Sequence, residues 1–112
     1  MPVYAITYEH PDEAGWAAHV MPHVGWLQDR LKDGSLLASG PFSGAPRKSA
    51  LLIKCALLIM TAPDREALDA LIASDPFAVE GLIENMTVTV WDPIFGAFNG
   101  RSSRPGQMQE RG

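Results

Sequence analysis

The chain has 112 residues, which suits one domain and excludes two packed domains or a dinucleotide-binding fold joined to a substrate domain. With 46% hydrophobic and 20% charged residues its composition is that of an ordinary soluble globular protein, and a formal charge of −4 supplies no basic field for nucleic acid or an anionic membrane. The charge is uneven: residues 1–98 carry 6 Lys and Arg against 12 Asp and Glu, while residues 99–112 hold Arg101, Arg104 and Arg111 against Glu110. One domain is therefore expected over 1–98, followed by a disordered tail over 99–112 that is poor in apolar residues.

Residues 3 to 8 are β-branched or aromatic, with Tyr4, Ile6 and Tyr8 on one side and Val3, Ala5 and Thr7 on the other, which predicts a strand. A polar turn at His10-Pro11-Asp12-Glu13 leads to a short helix ending near Val20. Pro22 then opens a second helix over 22–33, since a first-turn proline loses no helical hydrogen bond. Val24, Leu27 and Leu31 form its apolar stripe and Gly34 stops it. A strand over 35–39 enters a Gly- and Pro-rich loop, and another strand begins near residue 49. Asp64 caps a helix with the stripe Leu68, Leu71 and Ile72, ending near Ser74. Asp75-Pro76-Phe77 begins a short helical turn, and residues 87–91 alternate as a last strand.

This order, βαββαβ, is that of an α+β ferredoxin-like fold: a four-stranded antiparallel sheet with both helices on one face. The strands at 3–8 and 49–60 are apolar on both sides, however, and two helices cover only one. A homodimer with sheets face to face is the simplest way to cover the other. Lys48-Ser49-Ala50-Leu51-Leu52-Ile53 is followed at once by Lys54-Cys55-Ala56-Leu57-Leu58-Ile59, the same six residues but for one. Six is even, so a shift by one copy keeps every side chain on its face. One copy is expected to pair, the other to prolong the strand or feed the preceding loop. A single Cys55 excludes an intramolecular disulfide, the start of the chain lacks the basic and apolar regions of a signal peptide, and no apolar run reaches the roughly 20 residues of a membrane span. A cytoplasmic location is expected.

Histidine is the side chain that titrates near neutrality without help, so His10, His19 and His23 are the first chemical candidates. His19 and His23 have metal-pair spacing, but a helix opening at Pro22 leaves His19 outside it with no third ligand, and no metal site is expected. Asp75 is a carboxylate that can border the same cleft as His23 and form a dyad with it, holding one ring nitrogen protonated and making the other a base. The alternative for Asp75 is a helix cap ahead of Pro76. Tyr4, Tyr8, Trp26, Phe42, Phe77 and Trp91 are divided between core contacts and a pocket for a planar ring, about one third to the pocket. Cys55 reads as inert packing.

The run from His23 to Leu27, then Gly34-Ser35-Leu36-Leu37-Ala38-Ser39-Gly40-Pro41, and Asp75-Pro76-Phe77 with Gly81, resembles the YciI-like (YCII-related) family over residues 3 to about 95. The resemblance implies a dimeric α/β barrel of ferredoxin-like subunits and a catalytic dyad at His23 and Asp75, with Pro76 orienting the carboxylate. It implies cofactor-free proton transfer or elimination on a hydroxylated, sometimes chlorinated, ring compound, as in aromatic catabolism: a lyase or isomerase resembling dehydrochlorinases or muconolactone isomerases. The expected partners are a small-molecule substrate and a second copy of the chain. A polar oxyanion or substrate contact at the start of the central strand falls on Ser49 or Cys55, with His10 and Ser39 as further contacts. Related sequences often carry an Arg several residues before the dyad His. This chain has none before Arg30, Trp16 or Val20 occupying the region, and His10 or His19 is the stand-in. A non-catalytic binding or regulatory module and a cofactor-independent monooxygenase are the alternatives.

Overall fold

A computed structural model of the chain describes residues 1–42, 47–48, 51–52 and 54–103. The alternation read at 3 to 8 continues to His10 as β1 (Val3–His10), the second strand from one edge of a four-stranded sheet. β1 lies between β5 (Lys54–Thr61) and β6 (Glu84–Trp91), and β2 (Leu36–Pro41) flanks β5, every pairing being antiparallel. Tyr4 is opposite Met60, Ile6 opposite Leu58, Tyr8 opposite Ala56 and His10 opposite Lys54. Cross-strand partners share a face, so these residues define the side that meets the helices. Tyr4, Ile6, Tyr8, Leu58 and Met60 are buried there with Trp26, Leu68 and Ile72. This is the expected ferredoxin-like arrangement.

α1 (Glu13–Asp33) is one 21-residue helix where two were expected, with Pro22 in its interior. Proline there forfeits one backbone bond, about 3 kcal/mol in an exposed helix. The helix continues because His23 and Trp26, just beyond Pro22, are buried against the domain, and because both ends are fixed. The Asp12 side chain accepts from the Gly15 N–H, while Gly34, at φ 87°, turns its N–H back to the Leu31 carbonyl. Gly15 gives this cap room: a Cβ there would lie 2.6 Å from both Asp12 Oδ2 and a Leu82 methyl, and those side chains would have to shift. The stripe also differs from the expected one, since His23 and Trp26 are the buried residues and Leu31 is 54% exposed.

α2 (Arg65–Ala73) follows the expected cap, Asp64 accepting from the Ala67 N–H at 2.8 Å, and buries Leu68 and Ile72. Asp75 caps α3 (Pro76–Val79), with Pro76 at a position that needs no N–H donor. The repeated hexapeptides part company. The second copy lies in β5 at the middle of the sheet, whereas Lys48 and Leu51 of the first pair with one another in a separate two-stranded sheet of β3 (Arg47–Lys48) and β4 (Leu51–Leu52).

On the face away from the helices, Val3, Ile59 and Thr61 are buried, while Ala5, Thr7 and Leu57 remain half-buried and Trp91 is exposed. Of the tail expected over 99–112, residues 99–103 are described. Asn99–Arg101 form a 3-10 turn, Ser102 is buried, and Ser103 donates through its N–H and hydroxyl to the Asp92 carboxylate, which anchors the segment. Residues 104–112 lie outside the described part. No helix among the described residues is long and apolar enough to cross a membrane.

Candidate active site

The concave space between α1 and the sheet is a cavity of about 800 Å³. α1 contributes Trp16, Val20, His23, Leu27 and Leu31 along one side. β2 and the residue after it supply 38–42, the start of β5 supplies 54–56, and His10 and Phe77 meet at the back. The walls are mostly apolar, so a polar group placed among them interacts in a medium far less screening than water.

His23 is the polar group that α1 brings to this wall, and α3 brings its partner. The His23 Nδ1 lies 2.8 Å from Asp75 Oδ1, with His23 8% and Asp75 1% exposed. A carboxylate oxygen can only accept, so the proton sits on Nδ1 and Nε2 is left as the basic nitrogen. The same Oδ1 accepts the Phe77 N–H at 3.0 Å, making Asp75 both helix cap and histidine partner. The two readings of Asp75 that the sequence left open are thus joined in one oxygen atom. Pro76 follows at the first position of α3, where its fixed φ suits the helical turn that Asp75 caps. The imidazole is clamped further: Phe77 stacks on it with ring centroids 4.1 Å apart, and Trp26 lies beyond at 6.2 Å, its Nε1 donating to Ser74 Oγ.

His10 is the last residue of β1 rather than a turn residue. It is buried, 4.6 Å from Phe77 and 4.8 Å from Tyr8 between ring centroids, and its Nδ1–H donates to the Leu82 carbonyl. Burial holds this imidazole below its ordinary pKa, partly opposed by the Leu82 bond. Tyr8 lies alongside with its hydroxyl buried and unpaired among the described residues; burial first, and then the Asp75 charge, push its phenol far up, so it stays protonated.

Of the remaining expected contacts, Ser39 lines the cavity and Cys55 borders it. Cys55 is opposite Glu9, on the sheet face turned from the helices, and burial followed by Glu9 raises its thiol pKa, so it stays a thiol. Ser49 lies outside the described residues. His19 does share a helix with His23, contrary to the expectation from Pro22, but it approaches Glu80 at 3.7 Å, and no group of three potential metal ligands occurs among the described residues. Of the six aromatics weighed for a pocket, Phe42 and Phe77 line it. Trp16 and Lys54 line it too and were not weighed as pocket residues in the sequence, though Trp16 sits seven residues before His23 and Lys54 has the even spacing of the helix-facing strand positions 56, 58 and 60.

The chain belongs to the YCII-related domain family, whose model matches residues 1–92. Among solved structures it is similar to a 5-chloro-2-hydroxyhydroquinone dehydrochlorinase from Burkholderia phenoliruptrix in complex with 2,5-dihydroxybenzoquinone, with a TM-score of 0.65 and 19% identity over 80% of this chain and 93% of that one. It is also similar to an antibiotic biosynthesis monooxygenase (TM-score 0.48, 18% identity, covering 80% and 96%). A dimeric ferredoxin-like protein of unknown function from Jannaschia sp. gives a TM-score of 0.46 at 20% identity, covering 82% and 99%. At these identities the shared property is the fold. No curated protein matches.

Proposed function

We propose that this YCII-related protein is a lyase or isomerase that moves a proton on a small hydroxylated ring compound, with His23 as general base and then general acid and Asp75 as its positioning partner. The observation that carries the reading is the 2.8 Å bond from His23 Nδ1 to a carboxylate that is itself 1% exposed, at the wall of a largely apolar cavity. Asp75 fixes the tautomer and stabilises the imidazolium that forms when Nε2 takes a proton from a substrate hydroxyl or acidic carbon. The electron pair left behind either moves through the ring, after which the proton returns at another atom, or expels a leaving group, which departs with the pair. The apolar walls keep water from competing for the proton. Likeness of fold to a dehydrochlorinase supports this class of chemistry without naming the substrate.

Turnover of a panel of phenols and lactones by the wild type and by His23→Ala tests the reading. Loss of turnover in His23→Ala, with fold retained, is expected; full turnover in that variant overturns the dyad mechanism. Binding without turnover by both proteins would favour a non-catalytic binding module, and oxygen-dependent turnover a cofactor-independent monooxygenase. The same reading takes the protein as a homodimer through the sheet face that bears Thr7, Leu57, Thr87 and Trp91, and as one domain over 1–98 with a tail. Light scattering decides between dimer and monomer.

A further inference from the structure

We propose that Lys54 is an anion-binding residue of the cavity, and that the bound molecule carries an acidic group about two helical turns from the atom that meets His23. This deepens the reading above and rests on it for the position of the reacting end. Among the described lining residues Lys54 is the one permanent cation, and no carboxylate lines the cavity with them. Its register with His10 puts it on the helix side of the sheet. There its Nζ lies 4.6 Å from the ring centroid of Trp16. An aromatic face holds an ammonium in place without neutralising it, so the charge remains available to a ligand. In a domain where acidic residues outnumber basic ones two to one, a cation facing a cavity without an ion-pair partner among the described residues is unlike the usual surface lysine.

Distance sets the ligand's shape. Trp16 and His23 are seven residues apart on α1, two turns or about 10 Å along the helix. A single six-membered ring does not span from the His23 base to the ammonium beside Trp16, whereas a ring bearing an acidic arm does. The separation also suits the chemistry. The charge that develops on the substrate when His23 takes a proton stays away from the acidic group, and that group has its own cation. A carboxylate gains most from an ammonium where walls are apolar, because both would otherwise be desolvated without a partner.

The test compares 4-(4-hydroxyphenyl)butanoate with 4-(4-hydroxyphenyl)butanamide, nearly equal in shape, long enough to reach both ends and differing in charge, by tryptophan fluorescence titration of the full chain. The wild type is expected to bind the acid about tenfold or more tightly than the amide. Lys54→Met should bring the ratio to about one by weakening the acid alone, while Lys54→Arg should retain the preference. Should Lys54→Met lose both ligands, Lys54→Gln is read by the same ratio. Equal affinities or no binding in the wild type, or an unchanged ratio in the neutral variants, overturns the proposal. His23→Asn separates the two readings: it should keep the acid preference while losing turnover. Full turnover in His23→Asn with the preference still lost in Lys54→Met removes the dyad and leaves Lys54.

Discussion

His23 and Lys54 stand at two ends of one cavity and are held by different physics. His23 is fixed from three directions: the hydrogen bond it donates to Asp75, a stacked Phe77, and its own place on a long helix. Asp75 in turn is fixed by the turn it caps. Lys54 has a flexible stem, the face of a tryptophan ring beside its ammonium and the start of a strand beneath it. The first end is geometrically determined before any ligand arrives, as proton transfer requires, since a base displaced by an ångström loses much of its effect. The second end can adjust, which is enough to hold a charge. In the proposed reading the rigid end serves the chemistry and the adaptable end the recognition, so that substrate preference can shift without disturbing the base.

The comparison breaks most readily at His23. His23→Asn should lower turnover by about 10²- to 10⁴-fold while the acid probe binds as before, measured by steady-state kinetics alongside titration. If binding fell and turnover held, the two ends would have been assigned the wrong way round. Asp75→Asn should cost about 10²-fold in rate with the fold kept, because asparagine caps a helix as well as aspartate does but offers His23 no charge. Thermal unfolding and kcat measured on the same preparation separate these effects. Asp75→Ala, by contrast, should also lose stability, about 0.5–2 kcal/mol for the cap alone. At the other end, Trp16→Leu should weaken acid binding about two- to fivefold, the worth of an exposed cation–π contact, raising KM more than it lowers kcat.

The smallest effect expected is one of pH. His10 is held below its ordinary pKa by burial, so the unfolded chain takes up the proton more readily than the folded one. The stability it contributes is present at neutral pH and is lost as pH falls below about 6.5. His10→Gln should flatten the fall in Tm between pH 7 and 5, and an equally steep fall in the variant would assign the effect to another group.

Several parts of this structure were legible because one local signal dominated. The alternation of residues 3 to 8, Asp64 ahead of an apolar stripe and Gly34 after one each name an element almost alone, and together they fix the ferredoxin-like order. Pro22 misled because its cost is local, whereas what keeps α1 intact is the burial of His23 and Trp26 by the rest of the domain. That error also hid the second face of the helix, on which Trp16 and His23 line one cavity. The contact between His23 and Asp75 spans 52 residues and no periodicity could announce it. In the sequence Lys54 is only the first residue of the second hexapeptide copy, and its place in the cavity depends on pairing with His10, a matter of register rather than of composition. The repeat left two strands open as the paired one, and long-range pairing with β1 decided for the second copy.

That repeat also bears on how such a protein can change. The pleat has a period of two, so any even number of residues added or removed before Lys54 leaves Lys54, Ala56 and Leu58 on the helix side and Cys55 and Leu57 on the other. The length of chain between Phe42 and Lys54 is thereby decoupled from the core that begins with β5. A duplication of six residues there lengthens the chain between β2 and β5 with no substitution in the sheet and none at His23.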